Sequence, residues 1–103
     1  MTHWIDVAAE DEIFEGATLA VTPQGRDIAV YKTEGGEVFA TNNACSHGIA
    51  QLSEGYLQGY EIECPHHQGR FDIRTGQPTE PPCIAPVKTY PVKIDGGRVF
   101  LEL

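Results

Sequence analysis

The sequence predicts an all-β domain, a small antiparallel sandwich or partly open barrel. Three observations lead there. Two Gly-Gly turns are each flanked by short alternating apolar runs. No segment carries the apolar stripe of an amphipathic helix. A stretch rich in Gly, Pro, Asn, His and Gln separates the two hairpins. At 103 residues the chain makes one domain with a modest core.

In chain order, Trp4-Ile-Asp-Val is the first strand candidate, and Ala9 to Glu15 offers at most a single helical turn. Thr18-Leu-Ala-Val is a second strand candidate. Asp27-Ile-Ala-Val-Tyr-Lys and Glu37-Val-Phe-Ala flank Glu34-Gly35-Gly36, a hairpin. Tyr90-Pro-Val-Lys-Ile and Arg98-Val-Phe-Leu-Glu-Leu103 flank Asp95-Gly96-Gly97, a hairpin with a stronger turn signal. These runs assign a β base to residues of about 1–41 and 86–103, interrupted by an insert of about 42–85. Pro78, Pro81, Pro82 and Pro86 stiffen the end of the insert by fixing φ. Trp4 and the Tyr and Phe residues are expected in the core, and His3 in solvent.

The chain carries 15 acidic and 7 basic side chains, a formal charge of −8. That balance argues against nucleic acid as a partner, because such affinity comes largely from neutralising phosphates. It suits encounter with a basic protein partner, or simply keeps a small domain in solution. The first residues, Met1-Thr-His-Trp-Ile-Asp, have neither a basic flank nor an apolar run, and no stretch is long enough to cross a bilayer. The expected location is the cytoplasm, with no membrane partner. With 3 cysteines, a disulfide framework is not indicated.

The chemistry is concentrated in the insert. Cys45-Ser-His47 is followed, after 16 residues, by Cys64-Pro-His66-His67. Each group offers a thiolate and an imidazole. Two Cys and two His can hold either one Zn²⁺ or a [2Fe–2S] cluster with Cys on one iron and His on the other. A zinc finger usually places both Cys in one half and both His in the other, whereas here each half supplies one of each. The zinc reading makes the site a structural staple; the iron–sulfur reading makes it a redox centre.

Cys45-x-His47 and Cys64-Pro-x-His67 with Gly69 following resemble the Rieske [2Fe–2S] proteins. The closer resemblance is to the small Rieske ferredoxins of bacterial aromatic-ring dioxygenase systems. It extends over nearly the whole chain, through Cys64-Pro-His-His-Gln-Gly-Arg-Phe-Asp and Lys88-Thr-Tyr-Pro-Val-Lys. The resemblance implies a Rieske-like base carrying a two-loop cluster-binding unit and one Rieske-type [2Fe–2S] cluster per chain. It selects Cys45, His47, Cys64 and His67 as cluster and metal ligands, with His66 as an exposed neighbour of the ligand His67. The function it implies is one-electron transfer without catalysis. Electrons would come from an NAD(P)H-dependent flavoprotein ferredoxin reductase and pass to a terminal Rieske oxygenase in aromatic hydrocarbon catabolism. The carrier is expected to be a monomer. A second expectation is the Rieske-type small subunit of another redox enzyme, such as a nitrite reductase.

The resemblance is incomplete in an informative way. Respiratory Rieske proteins carry an extra disulfide-forming Cys in each cluster loop; the matching positions here are Ala50 or its neighbour, and His66. They also place hydroxyls where this chain has Gly69 and Phe71. Since donors to sulfur stabilise the reduced, more negative cluster, losing both implies a lower potential. Ile49, Gln68 and Pro82 are expected at the docking rim beside His47 and His67. Arg70 is either a docking residue or an ordinary surface charge. Cys83 is expected as a small buried hydrophobe rather than a reactive thiol. By resemblance, Pro81 and Pro82 belong to a loop that shields the cluster from water.

Overall fold

The computed structural model describes residues 3–45, 50–65, 68–81 and 83–103. Among them every strand pairing is antiparallel, and three sheets form. Strand β1 (Trp4–Ala9), β11 (Arg98–Glu102) and β10 (Val92–Asp95) make one sheet, with β11 central. Strands β2 (Thr18–Val21), β3 (Ile28–Lys32), β4 (Val38–Asn42) and β9 (Thr89–Tyr90) make a second. The third is built from β5 (Tyr56–Gln58), β6 (Glu61–Glu63), β7 (Arg70–Asp72) and β8 (Pro78–Glu80).

Both expected hairpins form. β3 and β4 pair from Ile28–Asn42 to Lys32–Val38, and their turn is closed by the Glu37 carbonyl accepting from Thr33 N–H at 2.8 Å. β10 and β11 are joined through Gly96 and Gly97, whose φ angles of 57° and 75° suit a two-residue turn that matches strand twist. The turn expected within Ala9 to Glu15 is a 3₁₀ turn at Glu10–Glu12. The third sheet was not expected. Its segments Glu-Ile-Glu and Arg-Phe-Asp alternate over only three residues each, too few for a periodic signal against polar surroundings. In three dimensions they pair so that Ile62 faces Phe71, both fully buried, with Glu63 opposite Arg70 on the other face.

β3 is buried on both faces, which divides the interior. Ile28 and Val30 point into a core under the base, with Ile13, Tyr90, Val99 and Leu101. Ala29 and Tyr31 point the opposite way, into a core shared with Leu52, Ile62, Phe71 and all three cysteines. The two-residue period of the strand thus sends alternate side chains to the scaffold and to the site. Full burial of a side chain such as Phe71 contributes roughly 1.5–3 kcal/mol, so this second core is a substantial part of the fold's stability.

The expectation that aromatics fill the core needs correcting. Phe14 and Tyr56 are exposed, at 76% and 69%: Phe14 lies on a connection, and Tyr56 opens β5, the edge strand of the third sheet. Trp4 is half-buried on β1, an edge strand of its sheet, and the Lys93 ammonium lies over its ring at 4.7 Å. His3 is exposed, as expected.

Candidate metal centre

The two cysteine segments are closed in the same way. Cys45 N–H donates to the Ala50 carbonyl at 2.9 Å, and Cys64 N–H donates to the Gly69 carbonyl at 2.7 Å. In both, a cysteine opens the segment and its amide is tied to a carbonyl five residues on. The 64–69 segment is the turn of the β6–β7 hairpin, so the Glu63–Arg70 pair anchors its ends. The 45–50 segment follows β4, and an isolated bridge between Ala44 and Gln51 anchors it.

Asn43, which sequence reasoning did not single out, holds the first segment in place. It is buried, and its side-chain Nδ2 donates to Asp27 Oδ1 at 3.0 Å while Oδ1 accepts from Ser53 N–H at 2.8 Å. Its backbone carbonyl accepts from Leu52 N–H at 2.7 Å, and its own N–H donates to the Asp27 carbonyl at 3.0 Å. One amide side chain therefore ties the chain before Cys45 to the chain after Ala50 and to the base. Asn is common in loops, and only the tertiary partners distinguish this one.

Cys45 and Cys64 are 3% and 2% exposed, free of disulfides, and packed into one core with Phe71 and Tyr31. Neutral thiols bury readily as small hydrophobes, whereas a metal-binding cysteine is a thiolate whose burial is offset by the cation it holds. Tyr31 backs the site from β3. Its O–H donates to Thr41 Oγ1 at 2.8 Å, and that hydroxyl donates in turn to the Asn42 carbonyl. Burial holds the Tyr31 phenol well above its ordinary value of 10.0, so it stays neutral. His47, His66 and His67 lie outside the described residues, as do Ile49 and Pro82.

Cys83 is buried, as expected, in the same core as Cys45 and Cys64, a neighbourhood the sequence did not specify. Burial comes first, followed by the neighbouring sulfurs of Cys45 and Cys64 and a hydrogen bond with Cys45; together these push its thiol up to about 12. Among the described residues, no group of three or more Cys, His or acidic side chains is arranged to hold a metal, so the three sulfurs are neighbours without forming a ligand set. Cys83 also explains Gly69. A Cβ at residue 69 would stand 2.3 Å from Cys83 Sγ and 3.1 Å from its Cβ, so this close approach requires glycine.

The remaining expectations fall as follows. Arg70 is engaged, donating to Glu63 at 3.1 Å and lying 3.7 Å from Glu61, which makes it a strand-pairing charge. Gln68 is exposed, in a left-handed conformation with φ 62°. Pro81 is exposed, and Ile84, directly after Cys83, is 84% exposed; Ile84 was not anticipated.

An all-β domain that buries two cysteines in one core, each at the head of a segment closed in the same way, defines a candidate metal-binding protein. Comparison with known proteins makes this specific. Residues 3–91 match the family model described as the Rieske [2Fe-2S] domain. The ferredoxin component of the naphthalene 1,2-dioxygenase system from Pseudomonas aeruginosa is 53% identical over 100 residues, covering 97% of this chain and 95% of that protein. Among solved structures, the ferredoxin from Sphingomonas yanoikuyae B1 superposes with a TM-score of 0.91 at 41% identity, covering 98% of this chain and 99% of that one. A chain in the complex of reduced oxygenase and oxidized ferredoxin of carbazole 1,9a-dioxygenase gives 0.89 at 39% identity, with 96% and 92% covered.

The chain belongs to the Rieske [2Fe–2S] domain family and is an electron-transfer ferredoxin component rather than an oxygenase. Its cofactor is a Rieske-type [2Fe–2S] cluster, which replaces the zinc reading. The donor set fits that group: Cys45 and Cys64 offer two shielded sulfurs from paired loops, and each loop contains histidine.

Proposed function

We propose that Cys45, His47, Cys64 and His67 hold one [2Fe–2S] cluster per chain, with the cysteines on one iron and the histidines on the other. When bound, the cluster supplies a one-electron couple, raised by having two neutral imidazoles in place of two thiolates. The chain's own residues do the rest. Cys45 and Cys64 keep their sulfurs out of water, while the Asn43 ties and the two amide–carbonyl closures hold the loops in register. Tyr31, Phe71 and Leu52 fill the space beneath, excluding solvent from the thiolate side. Residues of about 42–85 serve as the cluster-binding unit and 1–41 with 86–103 as the base; support comes from β5–β8 forming a sheet of their own within the insert.

In this reading the carrier takes electrons from an NAD(P)H-dependent flavoprotein ferredoxin reductase and delivers them to a terminal aromatic-ring-hydroxylating oxygenase. It works as a monomer in the cytoplasm. The relatives' role as ferredoxin components of dioxygenase systems, and the similarity to a ferredoxin bound to its oxygenase, support this assignment. Among the described residues no helix is long and apolar enough to cross a membrane. Docking through a small face near His47 and His67 suits a carrier that must bind, transfer and release, and exposed Gln68 and Ile84 supply polar and apolar contacts for it.

The observation that carries the ligand reading is the matched closure of the 45–50 and 64–69 segments, which places one buried cysteine at the head of each. The test is iron and acid-labile sulfide per chain on purified protein, with an EPR spectrum after dithionite reduction. Two irons, two sulfides and the low-average-g signal of a mixed Cys/His cluster are expected. One zinc without sulfide, from iron-replete anaerobic preparation, would overturn it.

A further inference from the structure

Among the described residues the large apolar side chains left exposed are Phe14, Tyr56, Ile84 and Ile94. Phe14 and Ile94 belong to the base, on the connection before β2 and on β10. Tyr56 and Ile84 belong to the insert, and both flank the second cysteine segment. Tyr56 opens β5 opposite Glu63, the residue before Cys64. Ile84 follows Cys83, whose backbone nitrogen would stand 3.1 Å from a Cβ at Gly69. One exposed anchor therefore lies at the head of the 64–69 segment and the other at its tail. The first segment is flanked differently: Ala44 and Gln51, bridged across its ends, are exposed but small or polar.

Tyr56 also begins a charged row. The register sets Tyr56, Glu63, Arg70 and Glu80 opposite one another across β5, β6, β7 and β8. Ile62 and Phe71 are buried on the other face of the sheet, so this row points outward. Arg70 is its one cation, and Glu63 at 3.1 Å and Glu61 at 3.7 Å already answer that charge, which leaves Glu80 in excess. Polar residues are the ordinary covering of a solvent-facing sheet, and by themselves they mark nothing. What marks this surface is a pair of large apolar side chains set at the two ends of one cluster segment, beside a row of net negative charge.

We propose that the flanks of the second cysteine segment, anchored by Tyr56 and Ile84, are the docking surface for a redox partner whose own surface offers apolar recesses rimmed by Lys or Arg side chains. The inference rests on the ligand reading above, which assigns a cluster to this segment. Buried anchors supply the affinity, and the acidic row supplies encounter rate and register. Docking here brings the partner nearer to the second segment than to the first. One electron then leaves the reduced carrier for the partner's oxidised centre, and no bond of this chain forms or breaks.

The probe is cytochrome c, a basic protein that accepts one electron. Calorimetric titration of the oxidised holoprotein with oxidised cytochrome c at low salt measures docking without electron transfer. Tyr56→Ala and Ile84→Ala should each raise Kd about tenfold, the cost of losing an interface anchor, whereas Tyr56→Phe should leave it unchanged. Glu80→Lys should raise Kd and flatten its dependence on salt. Phe14→Ala, on the base, and Gln51→Ala, beside the first segment, should bind as the unsubstituted protein does. Absence of binding, an unchanged Kd in Tyr56→Ala and Ile84→Ala, or an equal rise in Phe14→Ala or Gln51→Ala would overturn the proposal. So would sedimentation showing that the unsubstituted chain dimerises and that Tyr56→Ala prevents it, which would give the surface to a second copy. Stopped-flow reduction of cytochrome c by the reduced variants, freed of dithionite, should slow in the same order as Kd rises. Absence of iron, sulfide and EPR signal from the unsubstituted protein would instead overturn the ligand reading.

Discussion

The backbone N–H of Cys64 and the carbonyl of Gly69 meet at 2.7 Å, and that contact fixes more than one loop. It closes the β6–β7 turn on a cysteine, and it aligns the glycine that lets Cys83 approach. The geometry of the second cluster segment therefore depends on a residue 14 positions downstream of Gly69, in the proline-rich exit of the insert.

Gly69→Ala should destabilise the holoprotein by about 1–3 kcal/mol, because the new methyl group overpacks against Cys83. Urea midpoints would measure it. Combining it with Cys83→Ala removes the 2.3 Å clash but leaves the 3.1 Å contacts with Cβ and the backbone nitrogen, so the double variant should recover only part of the loss. The same geometry means that Gly69→Ser cannot simply restore a hydroxyl to the site.

Asn43→Ala should cost roughly 1–3 kcal/mol, since it leaves Ser53 N–H without its acceptor and Asp27 without a donor. The cost should fall on the first cluster segment. Bleaching of the visible cluster absorbance in mild urea should accelerate more than loss of far-ultraviolet β signal. Equal acceleration of both would mean that Asn43 supports the whole fold rather than that segment.

His67→Ala should abolish the Rieske EPR signal, whereas His66→Ala should keep it at full iron and sulfide content. The adjacent histidines make this the sharpest test of the ligand set, and the opposite pattern would exchange their roles.

Asp72 organises the turn after β7, accepting from Arg74 N–H at 2.8 Å, from its Nε at 3.1 Å and from its Nη2 at 2.8 Å. The side-chain hydrogen bonds from Arg74 hold its carboxyl below the ordinary 3.8. The folded chain therefore binds this proton more weakly than the unfolded chain does. The stabilisation is complete above that ordinary value and disappears as pH falls through it and below. Asp72→Asn should lower stability at neutral pH and flatten part of the acid limb in urea titrations taken at successive pH values.

Reduction of a partner oxygenase by this protein should slow as salt increases, since a chain of formal charge −8 meeting a basic docking site gains encounter rate from opposite fields. Stopped-flow rates at rising ionic strength would show it; rates independent of salt would shift the weight of docking to apolar contacts such as Ile84.

The all-β class, both hairpins and the donor chemistry were legible along the chain, because each is written in short-range pattern. Asp95-Gly96-Gly97 between alternating runs specifies a turn whatever surrounds it, and two cysteine–histidine groups restrict the ligand set before any folding is considered. The sheet of β5–β8 was not legible. Ile62 and Phe71 are single apolar residues between charges, and only their pairing across β6 and β7 turns them into a buried layer. Asn43 and Cys83 were illegible for the same reason. Their roles are contacts with Asp27, Ser53 and Gly69, residues brought near by tertiary packing rather than by spacing. Local sequence determined which atoms could bind iron. The tertiary structure decided what surrounds the sulfurs proposed as ligands, because the hydrogen bonds and solvent exclusion that tune a redox centre come from residues far apart in the chain.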